Sequence, residues 1–164
     1  MSRYLAVVLA AVLFATGCQG SDAITSQEHA DGAIKAARDE ISLANQGDWK
    51  AYYARERSSV RDSVSFENFS SCVSAMHLLL GSVAVSNLSA KDTGGRIWEV
   101  SYSAVAGNDP QHTNYTQTAS YYYDRGQWWF GMTAADIKGF NYGSDCVRHL
   151  LENAESPSRA HGAG

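Results

Sequence analysis

The sequence predicts an α+β domain in which N-terminal helices pack against a curved antiparallel sheet. Up to Gly81, apolar residues recur at the three- or four-residue spacing of amphipathic helices, and after Gly81 they alternate with the two-residue period of strands. The strongest strand signal is YTQTASYYYDRGQWWFGM at positions 115–132, where aromatic and β-branched residues flank Asp124-Arg125-Gly126. Helices followed by a run of strands favour an α+β arrangement.

The first eighteen residues have the pattern of an export signal. Arg3 precedes ten consecutive apolar residues, and small residues follow them. A membrane-spanning helix needs about 20 apolar residues, so this segment is too short to cross a bilayer. The sequence FATGC, which ends at Cys18, resembles the lipobox of bacterial lipoproteins. We therefore predict a signal peptide over residues 1–17 and lipidation of Cys18. The alternative is an ordinary secretory signal in which the cysteine is incidental.

The rest of the chain is predicted to form a tether, one domain and a tail. Residues 18–24 are small or polar, as in a short tether. Residues 25–151 carry enough apolar side chains for one core, and residues 152–164 have the composition of a disordered tail. Acyl chains on Cys18 would anchor the domain to the extracytoplasmic face of the cell membrane, whereas an unlipidated protein would be secreted.

The first predicted helix begins at a capping box formed by Thr25 and Glu28 and ends at Gly47. Its apolar stripe is mostly alanine, which allows close approach to a sheet. The charged residues of the opposite side are expected to face solvent: Lys35, Arg38, Asp39 and Glu40.

Two further helices are predicted before Gly81. Asp48 caps the first of them, which carries Trp49, Tyr52 and Tyr53 on its apolar side. Ser65 caps the second, and Cys72 lies beside its apolar stripe. The stripe consists of Phe66, Phe69, Val73, Met76 and Leu79 or Leu80.

The strand around residue 100 has an unambiguous pattern of faces. One face carries Trp98, Val100, Tyr102 and Ala104, and the other carries Glu99, Ser101 and Ser103. For the aromatic hairpin we predict a three-residue loop over Asp124–Gly126. That loop places Tyr122, Trp128, Phe130 and Thr118 on one face and Tyr121, Tyr123, Trp129 and Ala119 on the other. Residues 136–143 are predicted to be irregular, and Ser144 to start a short helical turn.

Cys72 and Cys146 remain once Cys18 is assigned to the lipid anchor. In an exported protein an even pair of cysteines favours a disulfide, here across a separation of 74 residues. The alternative is two unpaired buried thiols.

Charge and motif content exclude several functional classes. The formal net charge is −4, and no basic cluster stands out along the chain, so a nucleic-acid partner is not expected. The five histidines lack zinc-ligand spacing, and neither a GxSxG elbow nor a glycine-rich phosphate loop occurs. The sequence therefore predicts neither a metal nor another cofactor.

Three segments resemble the NTF2-like superfamily, whose members fold as a cone of helices over a curved sheet. They are the GDW sequence at 47–49 with Tyr52 and Tyr53, the helix from Phe66 to Cys72, and the DRGQWWF hairpin at 124–130. The resemblance covers about residues 25–133 and extends to exported actinobacterial lipoproteins with one such domain. It implies that a catalytic member would place a carboxylate or histidine and a tyrosine inside the cone, and that the sheet can form a homodimer interface.

Three carboxylates near the predicted strands are candidate acid or base groups: Glu99, Asp124 and Asp136. Glu99 shares its strand face with serines, Asp124 is explained as a turn residue, and Asp136 is expected near the mouth of a cone. An acid or base would need a pKa raised by burial, and the sequence indicates burial for none of them, so no catalytic residue is assigned.

The hairpin aromatics also predict a small-ligand pocket with few polar groups. Its residues would be Tyr121, Tyr122, Tyr123, Trp128, Trp129 and Asp136. The alternatives are that these rings fill the core or form a protein interface.

The preferred hypothesis is a cell-envelope lipoprotein whose non-enzymatic domain binds a partner protein or a small apolar ligand. One alternative is an enzyme of the ketosteroid isomerase or SnoaL type, which acts by proton transfer. The other is a structural surface antigen without a ligand.

Overall fold

The computed structural model describes residues 25–149, and these residues form the predicted α+β fold, with helices packed on a curled antiparallel sheet. The helices that come first are α1 (Ser26–Gln46), α2 (Trp49–Arg55), α3 (Ser58–Arg61) and α4 (Phe66–Leu80). The strands follow as β1 (Val83–Gly94), β2 (Ile97–Ala106), β3 (Tyr115–Asp124) and β4 (Gln127–Gly131). Helix α5 (Ala134–Phe140) and a 3₁₀ turn (Gly143–Asp145) end the fold. The predicted leader, tether and tail lie outside the described residues.

The helix boundaries follow the capping residues in the sequence. Thr25 and Glu28 form the predicted capping box of α1, and Gly47 ends that helix with a φ of +69°. The side chains of Asp48 and Ser65 cap α2 and α4, as predicted. Within residues 25–149, every helix is too short or too polar to cross a bilayer.

The sheet is a meander in which each strand pairs with the next one in the chain. Helix α1 lies across one face, which we call the inner face; the opposite face is the outer face. The buried alanines of α1, Ala33, Ala36 and Ala37, pack against Trp98, Tyr121 and Phe130. Small side chains bring the helix backbone close to the large rings, so the first core consists of alanine on one side and aromatic rings on the other.

The hairpin register differs from the predicted one. Tyr121 is opposite Phe130 and Tyr123 is opposite Trp128, and Arg125 and Gly126 form a two-residue turn with φ of +50° and +80°. The prediction of a three-residue loop was wrong because arginine here adopts the left-handed conformation that two-residue hairpin turns require. A shift of one residue exchanges the faces of a strand. The inner face therefore carries Tyr121, Tyr123, Trp128 and Phe130, and the outer face carries Tyr122 and Trp129.

The segment after β4 is helical, so the prediction of irregular structure over residues 136–143 was wrong. Thr133 and Asp136 form a second capping box, which starts α5. Phe140 of this helix stacks on Phe69 of α4 in a second core. Next to it, Cys72 and Cys146 form the predicted disulfide, and residues 146–149 are helical.

A short helix, α3, occupies a polar stretch in which no element was predicted. Val60 of this helix is buried. Just before α3, Glu56 forms an isolated parallel bridge to Phe130, and the backbone N–H of Arg57 donates to the Phe130 carbonyl at 3.3 Å. The chain thus covers the edge of β4 and reaches from the inner face to the outer face of the sheet.

Candidate functional site

A carboxylate from α1 lies inside the first core. The two carboxylate oxygens of Glu40 each accept a hydrogen bond of 2.6 Å, from the hydroxyl groups of Tyr52 and Tyr121. Glu40 follows Ala36 and Ala37 by four and three residues, so the helical repeat carries its side chain toward the sheet. The prediction that Glu40 faces solvent was therefore wrong. The residue is half-buried as a whole, and its carboxylate is the enclosed part.

The enclosure of Glu40 changes the acid-base chemistry around it. Burial raises the pKa of the Glu40 carboxyl, and the hydrogen bonds from Tyr121 and Tyr52 oppose that rise. Burial and the nearby Glu40 charge also raise the pKa of the Tyr52 and Tyr121 hydroxyls. The pKa of Tyr102 rises to about 12 for the same reasons. The three phenols therefore stay protonated, and those of Tyr52 and Tyr121 donate hydrogen bonds to Glu40.

A second acidic residue, Glu56, is buried between α2 and β4. It is only 1% exposed, and its Oε2 atom has no hydrogen-bond partner among the described residues. Burial, and then the charge of Glu40, raise the pKa of Glu56 to about 9, although Arg61 acts in the opposite direction. The Glu56 carboxyl is therefore neutral at physiological pH.

These acidic and phenolic groups are closed off from the surface pockets. Three pockets that residues 25–149 form are open to the surface, and Glu40, Glu56 and Tyr52 line none of these three. Tyr121 is fully buried in the core. The cluster thus has the residue types of a proton-transfer site, and it lies in the packed core rather than in one of these three pockets.

The open site lies instead at the hairpin end of the outer face, and we call it the arginine groove. Its volume is about 630 Å³. Four arginines from separate parts of the chain line it together with three aromatic rings: Arg57, Arg61, Arg96, Arg125, Tyr122, Tyr123 and Trp129. Asp124 is the acidic residue of this lining, so four positive charges and one negative charge leave a balance of +3. The chain as a whole carries −4, and the groove therefore concentrates charge of the opposite sign.

The rings of the outer face hold two of these arginines. The Arg57 guanidinium lies 3.9 Å from the centre of the Tyr122 ring, and that of Arg61 lies 5.7 Å from the Trp129 ring. Arg61 also donates to the carbonyl groups of Ala54 and Glu56, so it supports the local backbone. The Arg57 guanidinium donates to no described residue and keeps its N–H groups available.

The other two arginines stand on the hairpin turns. Arg96 forms an ion pair of 2.8 Å with Asp124, and Arg125 lies 3.8 Å from the same carboxylate. Both side chains are largely exposed. Both residues also have positive φ, +67° for Arg96 and +50° for Arg125. The two turns thus present cations at positions where glycine or asparagine would be less strained.

A second pocket, of about 700 Å³, borders the groove near the start of α1. Arg96, Arg125 and Tyr123 line both pockets. Here His29 packs edge-on against Tyr123, with ring centres 4.6 Å apart. The ring centres of Trp98 and Trp128 each lie 6.1 Å from that of His29. This end of the domain is therefore aromatic on the inner side of the hairpin and cationic on the outer side.

The structure brings together three of the six residues that were predicted to share one pocket, since Tyr122, Tyr123 and Trp129 line the arginine groove. Tyr121 is in the core, and Trp128 packs against Tyr123. The side chain of Asp136 accepts from the backbone and hydroxyl of Thr133, so it caps α5. Of the remaining candidates, Glu99 lies on the exposed outer face, opposite Lys91 of the neighbouring strand. Asp124 forms the ion pair with Arg96.

Sequence reasoning missed Glu40, Glu56 and the arginine groove. For Glu40 a signal was present, because its spacing from the alanine stripe fits the buried side of α1. For the groove no local signal exists, because its arginines come from distant positions. Within residues 25–149, no group of three histidine, cysteine or acidic side chains is arranged to hold a metal ion. No protein-family model matches the chain, and no curated protein is significantly similar to it.

Proposed function

We propose that this protein is a lipid-anchored component of the extracytoplasmic face of the cell membrane, and that its NTF2-like domain binds a partner without catalysing a reaction. The observation that carries this proposal is the closure of Glu40, whose two oxygens are held by Tyr52 and Tyr121 inside a packed core. A carboxylate whose two oxygens are both held by core hydroxyl groups links elements of the fold, and it would have to give up a hydrogen bond to meet a substrate proton.

The open surfaces favour a partner over an apolar small ligand. An apolar ligand would have to displace packed rings such as Tyr121, whereas the groove and its neighbouring pocket are polar and accessible. Three consecutive leucines at the end of α4, Leu78, Leu79 and Leu80, are 80%, 55% and 40% exposed. Exposed apolar side chains of this size mark protein contacts, including those of a homodimer, so they support a protein partner.

Two observations support export and membrane attachment. The disulfide between Cys72 and Cys146 is of the kind that persists in oxidising compartments. The sequence before Cys18 resembles a lipobox, and acyl chains on that cysteine would provide the anchor. The helices on the inner face of a curled sheet agree with the NTF2-like assignment.

The experiment that tests anchoring compares the full chain with Cys18→Ala in a bacterium that processes lipoproteins. We expect the wild-type protein to incorporate a radiolabelled fatty acid and to fractionate with membranes, and the variant to do neither. Unlabelled wild-type protein in the culture medium would show instead that the leader is an ordinary secretory signal. Cross-linking in intact cells, followed by mass spectrometry of the cross-linked species, then tests for a partner. A wild-type protein that gives only monomer would favour a structural antigen.

One observation favours a second candidate function, a proton-transfer enzyme. Glu56 is buried and neutral, has an unpaired oxygen, and is electrostatically coupled to Glu40. Two coupled carboxyl groups such as Glu40 and Glu56 suit general acid-base catalysis if the core opens to admit a substrate. The test is deuterium exchange at the α-carbon of an apolar ketone, with Glu40→Gln and Glu56→Gln as variants. If the wild-type protein exchanges deuterium into the ketone no faster than buffer alone does, the proton-transfer enzyme is ruled out.

A further inference from the structure

We propose that the arginine groove binds a phosphate group, presented either by an anionic phospholipid headgroup or by a soluble phosphorylated molecule. This inference deepens the proposed function, since it names the chemistry that an open surface of the domain recognises. It does not require the chain to be lipidated.

The groove carries the charge and the geometry that phosphate recognition needs. Guanidinium groups present forked N–H donors that match phosphate oxygens, and they remain charged at every physiological pH. The Arg57 guanidinium packs against the Tyr122 ring, 3.9 Å from its centre, and its N–H groups stay unpaired with described residues. The balance of +3 in the lining is enough to neutralise a dianion.

The backbone at the two turns supports the same conclusion. Among the residues that the structure describes, Asn87, Arg96, His112 and Arg125 are the non-glycine residues with positive φ. Both arginines of this set line the groove. An arginine at such a position is strained, and its side chain gains nothing from the core, since Arg125 is 93% exposed. Arg96 is paired with Asp124 at 2.8 Å, and a phosphate would give the more exposed cation of Arg125 a closer partner than Asp124, which lies 3.8 Å away.

The position of the groove indicates how a membrane lipid would reach it. Ser26, the first residue of α1, lines the same pocket as Arg96 and Arg125. Cys18 precedes Thr25 by seven residues, a length of chain that reaches at most about 25 Å. If Cys18 is anchored as proposed, the end of the domain that bears the arginines is held near the phosphates of the outer leaflet.

The experiment uses the mature chain, residues 18–164, with Cys18→Ser, so that no lipid contributes to binding. In one arm the protein is sedimented with vesicles of phosphatidylcholine alone or with added phosphatidylglycerol. In the other arm it is titrated with glycerol phosphate and with inorganic phosphate by calorimetry. The variants are Arg57→Gln and Arg125→Gln, because neither side chain is a hydrogen-bond donor to a described residue. The matched control is Arg38→Gln, which removes the same charge from an exposed position in a different pocket.

We expect wild type and Arg38→Gln to bind alike, and both groove variants to bind at least fivefold more weakly in whichever arm shows binding. Binding only to phosphatidylglycerol vesicles identifies a lipid headgroup as the source of the phosphate, and binding only in the calorimetric arm identifies a soluble ligand. No binding in either arm overturns the inference, as does equal weakening by Arg38→Gln, which would indicate nonspecific charge attraction. Since the protein in this assay is unlipidated, these outcomes are independent of the anchoring experiment.

Discussion

The hydroxyl of Tyr121 on β3 donates a 2.6 Å hydrogen bond to the carboxylate of Glu40 on α1, although the two residues are 81 positions apart. With Tyr52 on the other oxygen, this bond fixes α1 and α2 against the sheet at the centre of the first core. A buried polar contact of this kind specifies one packing arrangement, because any other arrangement leaves a carboxylate unpaired in the core.

Replacement of Tyr121 by phenylalanine should therefore destabilise the domain more than the loss of one surface hydrogen bond would. An oxygen of Glu40 would lose its donor inside the core, which costs about 1 to 3 kcal/mol of unfolding free energy. The matched control is Tyr115→Phe, since Tyr115 is exposed and its hydroxyl contacts Asp109 at the surface. For the control, urea denaturation should show a change in unfolding free energy below about 0.5 kcal/mol. Equal effects of the two substitutions would mean that Glu40 is not enclosed.

Stability should fall as the pH rises because of Glu56. Its pKa is near 4.3 in an unfolded chain and about 9 in the folded protein, so the folded state holds the extra proton between these values. The stabilisation is complete below about pH 4 and is lost progressively up to about pH 9, by at most about 1.4 kcal/mol per pH unit. Urea denaturation from pH 5 to pH 9 measures this slope. Glu56→Gln mimics the neutral acid, so the unfolding free energy of this variant should fall less steeply with pH. Glu40 is present in both proteins, so its contribution to the slope is the same. Parallel slopes would show that Glu56 is solvated.

The close approach of α1 to the hairpin is tested at Gly32. Alanine is favoured over glycine inside a helix by about 1 kcal/mol, but a Cβ at this position would overlap the Trp128 indole. Overpacking of a core costs about 1 to 3 kcal/mol, so Gly32→Ala should be destabilising overall. In a Trp128→Leu background the indole is absent, and the same substitution should be neutral or stabilising. Stabilisation by Gly32→Ala in the wild-type background would contradict the packing of α1 on Trp128.

Reduction of the disulfide should loosen the second core. The bond between Cys72 and Cys146 closes a loop with a separation of 74 residues, and the chain-entropy relation gives roughly 4 kcal/mol for such a loop. Urea denaturation with and without reductant should show a loss of this order, and Cys72→Ala with Cys146→Ala should reproduce it. Alkylation followed by intact-mass measurement is the direct check. Labelling of both cysteines in unreduced exported protein would rule the pairing out.

The sequence was sufficient for features that depend on neighbouring residues. Caps such as Thr25 with Glu28, and the two faces of β2, follow from side chains a few positions apart. The hairpin register was missed because it depends on Arg125 accepting a positive φ, which the usual preferences of turns disfavour. Helix α5 was missed because the glycines at 139 and 143 favour irregular structure, although Thr133 and Asp136 have the spacing of a capping box.

Burial of charge was harder to predict, because it depends on distant partners. Glu40 is buried only because Tyr52 and Tyr121 supply two hydroxyl groups to it. The arginine groove likewise exists because α3 passes the edge of β4 and brings Arg57 and Arg61 to the hairpin turns. Neither feature leaves a periodic pattern along the chain.

The central claim is that the carboxyl groups of Glu40 and Glu56 are sealed in the core of this domain, and Glu56 tests that claim most directly. Carbon-13 NMR of protein labelled at the glutamate carboxyl carbons, with Glu56→Gln to assign the signal, follows protonation of this group as the pH is raised. We predict a midpoint near pH 9, since burial raises the pKa of Glu56 to about 9. A midpoint near pH 4 would show that water reaches the carboxyl group, and would contradict the sealed core.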